Sequence, residues 1–190
     1  MSKRTCVVGI DNGVTGSIAV LYADKTFTWW KTPTVKCCNY TKVERHLERI
    51  NFPKLLRFLS NLSSMNEVVL AVMERPMVNP KRWVASTSAL RCLEATIIAL
   101  EMCGINYAFI DSKEWQKELL PEGTKGSEDL KAASDALAIK KYPIHVFKNG
   151  EGDSCHIAEY ALKHFVNEEK TNGTQPDTKE DNCSDKGEGG

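Results

Sequence analysis

The sequence has no apolar run near the ~18 residues that a bilayer-spanning helix needs, and its opening MSKRTCVVGI lacks the apolar centre of a secretory leader. It has no CxxC pair among its seven cysteines, Cys6, Cys37, Cys38, Cys92, Cys103, Cys155 and Cys183. An odd, unpaired set speaks against a disulfide framework and for reduced thiols in a cytoplasmic compartment. A zinc site from Cys37, Cys38 and His46 fits no ligand spacing. Net charge is also missing, with 25 basic against 25 acidic residues, so bulk charge points to neither nucleic acid nor membrane. There is no internal repeat. At 190 residues the chain is long enough for one domain with a sizeable core.

The neutrality hides an asymmetry. Residues 167–190, NEEKTNGTQPDTKEDNCSDKGEGG, hold seven acids against three lysines, leaving 22 bases and 18 acids in 1–166. The reading is a mildly basic domain over 1–166 and an acidic, disordered extension over 167–190 that has no apolar periodicity.

Residues 5–11 and 16–22 are apolar and β-rich around Asn12-Gly13-Val14-Thr15-Gly16, a hairpin signal, and TFTWWK (26–31) continues as a third strand. Residues 33–41 read as a loop. Val43, Leu47, Ile50, Leu55, Phe58, Leu59 and Leu62 predict a helix over 42–62, with Pro53 breaking or restarting it. EVVLAVME (67–74) is continuously apolar, as a central strand covered on both faces would be. A basic loop over 75–83, a long helix over 84–103 and a short strand over 105–110 follow. Next come a helix carrying Trp115 behind the Asp111/Glu114 capping box, a helix over 129–141, and a last helix from Asp153 to about Val166. Three leading strands and then alternating elements predict an α/β fold, a mixed central sheet with three leading antiparallel strands and helices on both faces.

Three acids share one setting. Asp11 ends the first strand, Glu74 ends the central strand, and Asp153 opens the last helix. If the two strands are parallel neighbours, both carboxylates emerge at their carboxyl ends, where open α/β sheets bind ligands. Clustered carboxylates raise one another's pKa unless a cation neutralises them. Oxygen-only donors suit Mg²⁺ or Mn²⁺, and two ions per active site would serve phosphodiester hydrolysis. Two of the acids also have a structural use, Asp11 as a turn residue and Asp153 as a helix cap.

The motifs GIDNGVTGSIAV, AVMERP, LKAAS and GDSCHIAEYAL, in this order, resemble the RuvC-like Holliday-junction resolvases of the ribonuclease H superfamily, in particular their phage and viral branch. The resemblance runs from about residue 5 to 166. It implies a ribonuclease H-like fold and a homodimer that resolves four-way DNA junctions by paired, metal-dependent nicks, with no membrane role and, if phage-encoded, a place in the host cytoplasm. By resemblance Asp11, Glu74 and Asp153 match acidic metal ligands, and Lys131 matches the basic residue close to the scissile phosphate. The family's fourth ligand is missing, since Asn149 or Gly150 stands where an acid is expected. His156, three residues past Asp153, is slightly favoured as the fourth polar contact over Glu151. An aromatic usually follows the glutamate by a few residues. Here Met77 is nearest that place, and Trp83, further on, is the wedge candidate. Arg75, Lys81 and Arg82 are expected to meet phosphates, with Lys113, Lys117 and Lys125 extending a basic track. The long helix over 84–103 resembles the family's dimer helix.

Two rivals stand beside this reading. GIDNGVTGSIAV also resembles the first phosphate loop of sugar-kinase and actin-like proteins, but these need a second such loop and a second lobe. The other is a branched-DNA-binding module that has lost cleavage along with the fourth ligand.

Overall fold

Arg4–Asp11 (β1) and Ser17–Tyr22 (β2) pair antiparallel, from Cys6 opposite Tyr22 to Asp11 opposite Ser17. The return is tight at Gly16, where a β-carbon would stand 2.1 Å from the carbonyl oxygen of Asp11. Phe27–Lys31 (β3) adds antiparallel to β2. This computed structural model describes residues 3–39, 42, 45–143 and 145–166. The expected acidic extension, 167–190, lies outside them.

The region after β3 departs from expectation. Thr34–Cys38 (β4) and His46–Ile50 (β5) form a separate two-stranded antiparallel arm in which Lys36 faces Glu48 and Cys38 faces His46. Cross-strand pairing therefore overrides the helical spacing of Leu47 and Ile50. The helix starts only at Phe52–Met65 (α1), where Asn51 accepts the Lys54 N–H and Pro53 occupies a first-turn position that needs no amide donor. Cys37 and Cys38, consecutive on a strand, point to opposite faces and cannot share one ion.

Asn66–Glu74 (β6) then runs parallel to β1, and Tyr107–Ile110 (β7) parallel to β6, giving the order β3-β2-β1-β6-β7. Between them, Pro80–Arg82 make a 3₁₀ turn where a loop was expected, and Trp83–Met102 form α2. Ser112–Leu119 (α3), Ser127–Lys141 (α4) and Asp153–Ala161 (α5) complete the chain, with a π-helical turn over Leu162–Val166. The Asp111/Glu114 capping box forms, the Asp111 N–H donating to the Glu114 carboxylate at 2.9 Å.

Alternation along β1 splits the core in two. Cys6, Val8 and Ile10 face Leu55 and Leu59 of α1 and Ala99 and Leu100 of α2. Val7, with Val72 of β6, faces Trp115 of α3, Ala138 of α4, and Ile157 and Ala158 of α5. Helices thus cover both faces of the main sheet.

One helix among the described residues is long and apolar enough to cross a membrane by length and composition alone. The chain over Pro80–Met102 has a mean hydropathy of 1.2 in its most apolar window, of which 28% is buried. Its inner side packs on α1 and β5. Its outer side exposes Val84, Leu90, Ile98 and Met102, with Arg91 and Glu94 among them.

Candidate active site

Side-chain parity brings the acids together. Asp11 lies two residues past Gly9 and four past Val7, so it faces the α5 side of the sheet, as does Glu74, two residues past Val72. The parallel register runs to Ile10 opposite Met73, so the next residues, Asp11 and Glu74, stand side by side where the two strands end. Asp153 is the first residue of α5, and α5 lies directly on β1. A β-carbon on Gly9 would meet the Ser154 carbonyl oxygen at 2.2 Å and the Ala158 nitrogen at 2.4 Å. Only a glycine admits that approach. The buried Ser17 hydroxyl ties the helix start to β2, 2.7 Å from the Ser154 hydroxyl, and donates to the Glu151 carbonyl.

The three carboxylates act on one another's charge. Burial, the neighbouring Glu74 charge and, in opposition, Lys131 leave Asp11 raised to about 7. Glu74 is raised to about 7 by burial, against a hydrogen bond from Trp115, with Asp153 and Asp111 adding to the rise. Asp153 is raised to about 7 by burial, against the Ser134 hydroxyl, with Asp11 adding and His156 opposing. Three acids that resist ionisation at one strand edge form an environment that a divalent cation would relieve. Among the described residues, however, no three His, Cys, Asp or Glu side chains are grouped so that they could hold a metal ion as they stand. The donor set itself, carboxylate oxygens with no sulfur or free imidazole, suits a hard cation such as Mg²⁺ or Mn²⁺.

One face of α4 serves this edge, because residues 131, 134 and 135 share a face. Lys131 is near enough to depress Asp11, and its stem lies 3.3 Å from where a Gly150 β-carbon would be. Ser134 donates to Asp153 Oδ1 at 2.5 Å. Asp135, buried, accepts the Gly150 and Gly152 N–H groups at 2.9 Å each, holding the loop that delivers Asp153. Sequence reasoning missed Asp135. Its signal was an acid four residues after Lys131, on the lysine's own helix face.

The two candidates for a fourth contact are engaged elsewhere. His156 is fully buried, with Nε2 3.0 Å from the Ser134 carbonyl oxygen, Nδ1 3.5 Å from Glu159 and its ring against Trp115. Both ring nitrogens thus face partners within the fold. The Glu151 carboxylate accepts the Lys148 N–H and lies 3.8 Å from Lys31 Nζ and 3.6 Å from His145 Nε2. Of the two positions where an acid is expected, Asn149 lies at φ +59° and Gly150 at φ +88°. The missing β-carbon of Gly150 would stand 3.3 Å from Asp153 Oδ2.

The remaining candidates are exposed. Met77 and Trp83 are 78% and 71% exposed, so neither is a core residue, and Lys81 and Arg82 are exposed beside them. Arg75 is exposed too, 3.4 Å from Asp111. Lys113 and Lys117, one helical turn apart on α3, and Lys125 in the next loop are exposed.

A five-stranded mixed sheet with three leading antiparallel strands and helices on both faces is a ribonuclease H-like fold. It matches solved structures of that class. T. thermophilus RuvC in complex with Holliday junction substrate aligns with a TM-score of 0.52 over 84% of this chain and 95% of that one, at 10% identity. A second T. thermophilus RuvC structure aligns at a TM-score of 0.47 and 11% identity, over 83% and 95%. The likeness is one of fold. No protein-family model matches the sequence, and no curated protein matches it.

Proposed function

We propose that the protein is a structure-selective endodeoxyribonuclease that resolves four-way DNA junctions by paired, Mg²⁺-dependent phosphodiester hydrolysis. The observation that carries this is the meeting of Asp11, Glu74 and Asp153 at the carboxyl edge of a ribonuclease H-like sheet, with Lys131 beside them. When bound, divalent ions would supply an activated water and charge neutralisation at the phosphate. Asp11, Glu74 and Asp153 would hold them, and Lys131 would present its ammonium to the negative charge that develops on the phosphate. Exposed Lys81 and Arg82 would grip phosphates, and Trp83 would stack on a base at the opened crossover.

The reading includes a homodimer formed by α2. Val84, Ser88, Arg91, Ala95, Ile98 and Met102 recur every four and three residues along its outer side. Pairing two copies antiparallel about a twofold axis with Met102 against Val84 at both ends sets Arg91 of each opposite Ala95 of the other, next to its Glu94. The helix is therefore self-complementary, as an isologous interface requires. A largely apolar groove of about 690 Å³, bounded by β5 and α2 and lined in part by Leu47, Ile50 and Ile98, adjoins this face.

One observation favours a second reading, a branched-DNA-binding module without cleavage. Gly150 offers no fourth carboxylate, and His156 and Glu151 are held by other partners. Incubating a labelled four-way junction with Mg²⁺ and either the wild type or Asp11→Asn separates the two. Symmetric cuts lost in the variant support the resolvase, and shifted but uncut junction supports the module.

A further inference from the structure

Glu74 and Asp153 are fixed from behind by one continuous buried assembly. Trp115, fully buried, donates from Nε1 to Glu74 Oε2 at 3.2 Å. Its indole stacks on the His156 imidazole, with centroids 5.8 Å apart and planes 21° apart. Because a carbonyl oxygen only accepts, His156 Nε2 carries the proton that meets the Ser134 carbonyl at 3.0 Å. The Ser134 hydroxyl in turn donates to Asp153 Oδ1 at 2.5 Å. At its far end the assembly is anchored by Glu159, which faces His156 Nδ1 and accepts from Lys141 Nζ and the Tyr142 hydroxyl, each at 2.7 Å.

Each hydrogen bond occupies one oxygen of its carboxylate. Asp153 Oδ2, the oxygen not bonded to Ser134, is the one that lies toward Gly150 and Lys131. Glu74 Oε1 is the oxygen that Trp115 leaves free. Fixing one oxygen sets the direction of the other and removes the freedom of two side chains that repel each other when charged.

We propose that Trp115, Ser134 and His156 are positioning residues that pre-orient Glu74 and Asp153 to receive a divalent cation, His156 acting behind the site and not as a ligand. This rests on the metal-site reading above; it gives roles to Trp115 and Ser134 that neither motif nor fold likeness assigns, and a different role to His156. The device spans two core helices and the central strand, so aligning one acid is coupled to aligning the other.

The test is equilibrium Mn²⁺ binding, read by the loss of the free-ion electron paramagnetic resonance signal, on the full-length wild type, Ser134→Ala, Trp115→Phe and Leu59→Ala. Leu59 is buried in the opposite core and reports general destabilisation. Outer hydrogen-bond partners of metal ligands are typically worth about 10–100-fold in affinity. The expected result is weakening of that order in Ser134→Ala and Trp115→Phe, with wild-type affinity in Leu59→Ala. Ser134→Ala removes one oxygen and little volume, so it decides the matter even if Trp115→Phe does not fold. Wild-type Mn²⁺ affinity in a folded Ser134→Ala overturns the inference and leaves the metal site standing. A wild type that binds no Mn²⁺ overturns the metal-site reading, and this inference with it.

Discussion

Gly9 and Ser154 are in backbone contact: a β-carbon at Gly9 would lie 2.2 Å from the Ser154 carbonyl oxygen. That contact seats α5 on β1 and brings Asp153 to Asp11. Gly9→Ala must push the helix off the strand, because backbone atoms, not a flexible side chain, are in the way. Overpacking a core typically costs about 1–3 kcal/mol, and this site should lie at or above the top of that range. Urea unfolding would measure the loss, and a variant as stable as the wild type would contradict the packing described.

The raised carboxylates predict how stability depends on pH. The unfolded chain releases these protons near pH ~4, whereas Asp11, Glu74 and Asp153 hold theirs to about 7 when folded. Between those values the folded state binds more protons, so this contribution to stability is full at low pH and falls as pH rises toward 7. Thermal melts of the metal-free protein should therefore show Tm declining through this window. Mg²⁺ or Mn²⁺ should raise Tm above it and do little below it. Asp11→Asn should flatten the decline and melt higher than the wild type at alkaline pH without metal. A metal-free Tm that rises with pH in that range, with no such gain in Asp11→Asn, would count against a shared site.

The exposed segment after Glu74 separates charge from stacking. Replacing both Lys81 and Arg82 with alanine should lower the slope of log affinity for a four-way junction against log salt by roughly two, near one per phosphate contact. Trp83→Ala should leave the slope alone and weaken binding by about 1–3 kcal/mol, the typical worth of one stacked base. Fluorescence anisotropy at several salt concentrations distinguishes them. Equal affinity in Trp83→Ala would remove the wedge.

The α2 pairing makes a reciprocal prediction. Arg91→Glu or Glu94→Arg alone places like charges across the twofold axis and should shift sedimentation toward monomer. The double exchange restores opposite charges and should restore the dimer. A double variant as monomeric as either single variant would exclude this register.

The sheet was legible because its strands carry their own signals. β1 and β6 are apolar runs ending in acids, and the turn between β1 and β2 is rich in glycine. The arm of β4 and β5 was not, because Leu47 and Ile50 fall at helical spacing and only pairing with distant residues makes 46–50 a strand. Asp11, Glu74 and Asp153 could be singled out because they lie at element ends, and those ends converge in the fold. For His156, i+3 spacing places a residue on the same face as Asp153 without saying how its ring nitrogens are satisfied. Asp135 and Ser134 escaped notice because their partners, Gly150, Gly152 and Asp153, come from a loop and helix whose approach to α4 is tertiary.

Anomalous diffraction from crystals grown with Mn²⁺ would locate the ions themselves. Manganese peaks are expected, coordinated jointly by Asp11, Glu74 and Asp153, with Asp153 contributing Oδ2 and His156 contributing nothing. Crystals saturated with Mn²⁺ that show no peak among these three carboxylates would contradict the shared metal site.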